Sequence, residues 1–356
     1  ICLCEARECT PEACPYANGY YARIKGALWD VLDVPCLTAE TLQEYAERHT
    51  VCPFELGLDS SLWSDVIIGD YNYLCEPVVH LVRFFESAGD YIFLVDEAHN
   101  LPGRAREMHS AALTKTSFYE AKKLLGKGKS SLKNALTKVN DVFIEWRHRA
   151  EEETAARDGR FGKTFFLKER SEEFDHLLNR LCEPLEAWLD DHREPDETHT
   201  ALLQLYFDVR AWLRVADTFD DHFVLQITAS GSEVRAAQLC LDPSAFLADS
   251  FALGRAAVLF SATLAPASYY KDLCGVPEAR AVALRSPFPA GNQGLFCIGN
   301  VSTRYKDRDA SLAIVAESLA TMVRARCGNY LAFFPSYAYM EQAYAQFKEH
   351  CPEINC

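Results

Sequence analysis

The stretch Tyr91-Ile92-Phe93-Leu94-Val95-Asp96-Glu97-Ala98-His99-Asn100 is an apolar run that stops abruptly at two carboxylates and an imidazole. A short apolar run bounded by polar residues reads as a buried strand of a parallel sheet. In sheets of that kind the chemistry collects at the carboxyl ends of the strands. An aspartate at such a tip can hold a Mg²⁺ ion bridging nucleotide phosphates, and an adjacent glutamate can polarise the attacking water.

Working outward, Ala257-Val-Leu-Phe260 repeats the pattern and runs into Ser261-Ala262-Thr263-Leu264. Hydroxyls there can hydrogen-bond His99 and relay the nucleotide state; a small polar turn after a strand is the plainer reading of the tetrapeptide alone. Asp65-Val-Ile-Ile-Gly-Asp70 and Tyr330-Leu-Ala-Phe-Phe334 read as two further buried strands. A helix is expected over residues 311–327, with Leu312, Val315, Leu319, Met322 and Val323 on one face and Gly328 as its stop. Residues 114–234 are charged and mostly helical in pattern, an insertion interrupting an α/β sheet.

Asp-Glu-Ala-His followed in order by Ser-Ala-Thr resembles motifs II and III of superfamily 2 helicases. About 160 residues separate the two motifs here, and a helical insertion at that point resembles the Arch domain of the DinG/XPD type. Ser286-Pro287-Phe288-Pro289 is similar to that family's junction between motor domains, and Asn329 to Ser336 is similar to the first strand and motif IV of the second motor. The chain is thus identified as an internal fragment of a DinG/XPD-type iron–sulfur DNA helicase, bacterial DinG-like. The resemblance implies an α/β fold: a partial RecA-like, parallel-sheet motor domain over 63–113 and 235–288. Residues 1–62 would be an iron–sulfur cluster domain, 114–234 the Arch, and 289–356 the start of a second RecA-like domain. It further implies that Asp96 and Glu97 bind Mg²⁺ and ATP and act catalytically, with His99, Ser261 and Thr263 coupling the lobes to DNA.

The fourteen cysteines are mostly scattered, and Cys240, Cys274 and Cys327 read as small buried hydrophobes. The exception is the frame Cys2, Cys9, Cys14-Pro-Tyr-Ala and Cys52-Pro-Phe. It resembles the cluster domain of DinG-like helicases, which implies four thiolate ligands to a 4Fe–4S cluster. Cys4 competes with Cys2 for the first position. Tight Cys-x2-Cys pairs typical of zinc are missing from this frame. Trp63 to Tyr73 is similar to a family segment near the DNA strand, so Tyr71 and Tyr73 are candidate stacking residues, the plainer reading being packing against the sheet.

The formal charge of −15 argues against a protein that coats nucleic acid non-specifically, but not against a local track. Lys115, Lys122, Lys123, Lys127, Lys129, Lys133 and Lys138 face a single Glu120 over 115–138, with a phosphate-contacting track and a solvated helix face both open; Lys122, Lys123, Lys127 and Lys129 are the candidate contacts. No signal peptide or membrane-length apolar run is present, so a soluble, cytoplasmic protein with no membrane partner is expected.

No Gly-x4-Gly-Lys-Ser/Thr phosphate loop occurs. Gly128-Lys129-Ser130 has Lys123 where the first glycine belongs, and Gly162-Lys163-Thr164 has Arg157. The expectation is that the parent uses ATP to translocate on single-stranded or forked DNA, 5′ to 3′ by family resemblance, and unwinds duplexes in repair or replication. The chain alone is expected not to hydrolyse ATP. The alternatives are a non-catalytic nucleic-acid-binding module and a zinc-stapled interaction scaffold.

Overall fold

The computed structural model describes residues 9–77, 82–127, 130–156, 163–192, 196–299 and 301–354. The chain divides into two units, residues 1–281 and 282–356.

Three helices open the first unit: α1 (Tyr20–Val31), α2 (Ala39–His49) and α3 (Pro53–Ser61). Thr38 caps α2 through its side chain, and Pro53 occupies the first turn of α3, where a missing N–H costs nothing. Ile24, Ala27, Ala46, Val51 and Leu56 close a small core between them. Two short helices, α4 (Asn72–Cys75) and α5 (Val82–Phe85), lead to β1 (Ile92–Val95) and α6 (Leu101–Met108).

The chain then enters the long excursion through β2 (Ala111–Thr114), α7 (Lys115–Leu124), α8 (Ser131–Ala156), β3 (Thr164–Leu167), α9 (Glu172–Asp191), α10 (Glu197–Thr218), β4 (Phe223–Ser230) and β5 (Glu233–Cys240). The helical reading of this region missed a four-stranded antiparallel sheet in the order β2-β5-β4-β3. Its inner face and the four helices share one large core containing Phe118, Phe143, Phe165, Phe174 and Trp212, each no more than 1% exposed. The β4–β5 hairpin turns at Gly231-Ser232, with Ser230 paired to Glu233. Gly231 takes φ 62°, a conformation glycine adopts without steric cost.

After α11 (Ser244–Ala252) comes β6 (Ala256–Leu259), which pairs parallel to β1 in the register Val95↔Leu259, and α12 (Ala267–Leu273) follows. Val95, Ala98, Leu101, Ala105, Leu247, Phe251 and Cys274 form the core beneath this pair. The pair is half-buried rather than sandwiched: Ile92, Leu94 and Val258 on its other face are 63%, 69% and 50% exposed.

Residues 65–70 are not a strand. They run as irregular chain with Val66 and Ile68 exposed, because a strand exists only through hydrogen bonds to a neighbour and none pairs with them among the described residues. The same correction applies to 330–334 in the second unit, where Leu331 and Phe333 are exposed. That unit consists of α13 (Arg308–Ala325) packed on α14 (Tyr337–His350), with Ala316, Ala320, Phe347 and Cys351 at their contact. The helix expected at 311–327 is therefore present and begins three residues earlier. No helix among the described residues is long and apolar enough to cross a membrane.

Candidate functional site

Parallel pairing of β1 with β6 carries the chain out of both strands at the same edge. Phe260 N–H donates to the Val95 carbonyl at 2.9 Å and Ala98 N–H to the Phe260 carbonyl at 3.1 Å, so the ladder extends one step beyond the strands. Asp96-Glu97-Ala98-His99 and Ser261-Ala262-Thr263 therefore meet at adjoining tips. His99 Nδ1 lies 2.8 Å from Ser261 Oγ and 3.1 Å from Glu97 Oε2, and Ser261 Oγ lies 3.3 Å from the same carboxylate oxygen. Thr263 is present through its backbone N–H, 3.3 Å from Ser261 Oγ; its hydroxyl is not part of this cluster of contacts. Residues 162 positions apart thus share one hydrogen-bonded group.

The turn between β1 and α6 is tight. Glu97 adopts φ 46°, the left-handed region that non-glycine residues rarely occupy. Asp96 Oδ1 accepts from Glu97 N–H at 2.7 Å, and the Glu97 carbonyl accepts from Asn100 N–H at 2.9 Å. Tyr71, a candidate DNA-stacking residue by sequence, lays its hydroxyl on this turn, donating to the carbonyls of Asp96 and Glu97. Burial first, then the carboxylates of Asp96, Glu97 and Asp70, push its phenol above its ordinary pKa. Tyr73 folds its ring over Gly69, where an added Cβ would meet it at 2.9 Å. A depression of ≈ 410 Å³ lined by Asp70, Tyr71, Asn100, Gly103, Arg104 and Glu107 adjoins the acidic turn.

Cys2 and Cys4 lie outside the described residues. Cys9, Cys14 and Cys52 are free thiols, exposed, buried and half-buried in turn. One guanidinium binds the segments that carry the last two: Arg23 donates to the carbonyls of Pro15 (3.0 Å), Asn18 and Thr50 (2.7 Å). It crosses from the chain just after Cys14 to the chain just before Cys52. Gly19, at φ 69°, provides the close approach, since a Cβ there would stand 2.9 Å from Arg23 Nη1. Free, clustered-in-sequence thiols on two pinned Cys-Pro segments have the donor chemistry of an iron–sulfur site. Among the described residues, no three His, Cys, Asp or Glu side chains already converge as a metal cage. Nearby, Tyr20 hydroxyl donates to Asp59 at 2.8 Å, and burial together with that carboxylate raises its pKa.

Of the lysines, Lys122 and Lys123 end α7 and Lys127 follows it, exposed; Lys129 lies outside the described residues. Cations at a helix carboxyl end also satisfy the helix dipole, which gives these residues a structural role beside any ligand. Lys115 donates to the Ser232 carbonyl at 3.1 Å and Lys133 to the Gly126 carbonyl, so part of the stretch is engaged within the insertion. The Arg23 clamp and the Tyr71 hydrogen bonds were missed from sequence. Both recognise backbone carbonyls, which leave no residue pattern to find.

A parallel strand pair whose tips join an acidic turn to a Ser-Ala-Thr turn is the arrangement that the resemblance to superfamily 2 helicases implies. More narrowly, the chain is similar in sequence to XPD-type helicases. The family model DEAD_2 matches residues 1–118. The general transcription and DNA repair factor IIH helicase subunit XPD of Schizosaccharomyces pombe is 23% identical over 85% of this chain and 48% of its own length. The corresponding XPD/RAD3 subunit of Saccharomyces cerevisiae is 22% identical over 95% of this chain and 52% of its own length. The ATP-dependent DNA helicase CHL1 of Coccidioides immitis is 20% identical over 88% and 40%. The chain spans about half the length of these curated relatives. A solved structure titled "Structure of S. tokodaii Xpd4" overlays with a TM-score of 0.46 at 15% identity, covering 87% of this chain and 62% of that one.

Proposed function

We propose that this chain is the part of an ATP-dependent DNA helicase that carries the DEAH turn, the cluster cysteines and the Arch. The observation that supports it is the contact of Glu97, His99 and Ser261 across two strand tips. In this reading Asp96 would hold Mg²⁺ with ATP, and Glu97 would orient the attacking water. The imidazole of His99, held between Glu97 and Ser261, passes a change at the carboxylate to the turn after β6. Thr263 belongs to that turn and carries the change onward. The motor moves 5′ to 3′ along single-stranded DNA and opens forks, with Lys122, Lys123, Lys127 and Lys129 on the phosphates and Tyr73 against bases.

Cys2, Cys9, Cys14 and Cys52 are the thiolates that would hold a 4Fe–4S cluster. When bound, that cluster would supply covalent cross-links between the segments that carry these cysteines. Arg23 holds the two Cys-Pro segments together for it.

The test has two arms. Anaerobically purified chain is assayed for iron and acid-labile sulfide; four of each per chain, lost in Cys14→Ser and Cys52→Ser, are expected, and stoichiometric zinc without iron overturns the cluster. Full-length protein is assayed for DNA-stimulated ATP hydrolysis, expected to vanish in Glu97→Gln. Salt-dependent DNA binding with no turnover in the unaltered protein overturns the motor.

A further inference from the structure

We infer that Tyr71 is a positioning residue for the acidic turn, and that the pairing of its hydroxyl with the Asp96 and Glu97 carbonyls holds Glu97 in the conformation that aims its carboxylate. The inference rests on the motor reading of Asp96 and Glu97.

Glu97 occupies φ 46° without being glycine or asparagine. Backbone in that region is costly and persists only where its surroundings over-determine it. Here they do. The Asn100 N–H and the Tyr71 hydroxyl both meet the Glu97 carbonyl, Asp96 Oδ1 takes the Glu97 N–H, and Tyr71 also reaches the Asp96 carbonyl. Of these contacts, Tyr71 alone comes from outside the turn. It is the N-cap of α4, whose Cys75 is buried in the same core as Val95 and Ala98, so the donor is anchored to the floor of the site rather than hung from a loose loop.

A base-stacking role for Tyr71 needs the ring face; a positioning role needs the oxygen. Phenylalanine separates them, because it keeps the face and loses only the donor. In full-length protein, Tyr71→Phe is expected to lower the kcat of DNA-stimulated ATP hydrolysis about 5- to 10-fold, with the KM for ATP and the affinity for single-stranded DNA unchanged. In this chain, amide hydrogen exchange at residues 97–100 is expected to quicken in the same variant, a readout independent of activity and of the variant's catalytic competence. Unchanged kcat and exchange in Tyr71→Phe, beside weaker DNA binding in Tyr71→Ala, overturn the inference in favour of stacking. Glu97→Gln serves as the control. If it retains turnover, the motor reading itself fails, whereas loss in Glu97→Gln with wild-type Tyr71→Phe sinks only the role given to Tyr71.

Discussion

Phe174→Ala is the most direct probe of the insertion that lies between the two halves of the site. Phe174 is fully buried in α9, and its ring meets Phe143 of α8 at 5.4 Å, Trp146 of α8 at 4.6 Å and Trp212 of α10 at 5.4 Å. Truncating a fully buried phenylalanine removes its transfer free energy and leaves a cavity, together about 3–5 kcal/mol. A unit of this size has a total stability of about 5–15 kcal/mol, so the loss is a large fraction of the whole. Tryptophan emission isolates the event. Trp29 and Trp63 are 76% and 68% exposed and change little on unfolding, whereas Trp146 and Trp212 are 8% and 0% exposed. Urea unfolding followed by emission therefore reports the insertion. The expected result is a lowered midpoint equivalent to at least 3 kcal/mol at an unchanged slope. A shift worth less than about 1 kcal/mol would refute the packing argument, since no relaxation short of repacking three aromatic neighbours can absorb the void.

Three further outcomes follow from individual contacts. Burial pushes the Asp175 carboxyl above its ordinary 3.8, against smaller opposing effects of the Trp212 hydrogen bond and of Arg170. The folded state then binds the proton more tightly than the unfolded chain, so stability falls as pH rises from about 4 through the raised pKa and is level above it. Asp175→Asn keeps an acceptor for Trp212 Nε1, and its stability relative to the parent should rise across that window in urea titrations; a difference constant with pH refutes the assignment. Ser261→Ala removes the contact to His99 at 2.8 Å, a net loss of about 0.5–1.5 kcal/mol. DNA-stimulated turnover of the full-length protein should fall up to about tenfold, and equal rates would show that the contact carries no coupling. Gly275, at φ 67°, has the Ser244 carbonyl oxygen 2.1 Å from where a Cβ would stand. Gly275→Ala should lower the melting temperature by several degrees in circular dichroism, and an unshifted melt would contradict that geometry.

How much was legible in the sequence depended on whether an element carries its own signal. Val95-Asp96-Glu97 and Phe260-Ser261 were readable because an apolar strand stopping at polar residues marks both the element and its tip. Their contact followed once the strands were parallel neighbours. Residues 65–70 and 330–334 carry the same apolar signature, yet hydrophobic composition supplies only the side chains of a strand; the partner's backbone has to come from elsewhere. The reverse error occurred at 223–230. Phe223, Leu225, Ile227 and Ala229 alternate with exposed or half-buried residues and lead into Gly231, a hairpin signal overshadowed by the charged helices before it. At Tyr71 the aromatic ring is visible in sequence, while the carbonyls that receive its hydroxyl are not.

The pairing of β2 with β5 has a consequence for assembly order. Bringing Glu97 and Ser261 together directly would close a loop of more than 160 residues. Once Ala111 is clasped to Gln238, most of that length is already folded back on itself, and only the short stems remain to be closed. The entropic saving grows only logarithmically with loop length, on the order of 1 kcal/mol here. Its kinetic effect is larger, because a distant encounter becomes a local one. The excursion thus acts as a template, and damage far out among its helices would be felt as delayed or failed joining of the two tips.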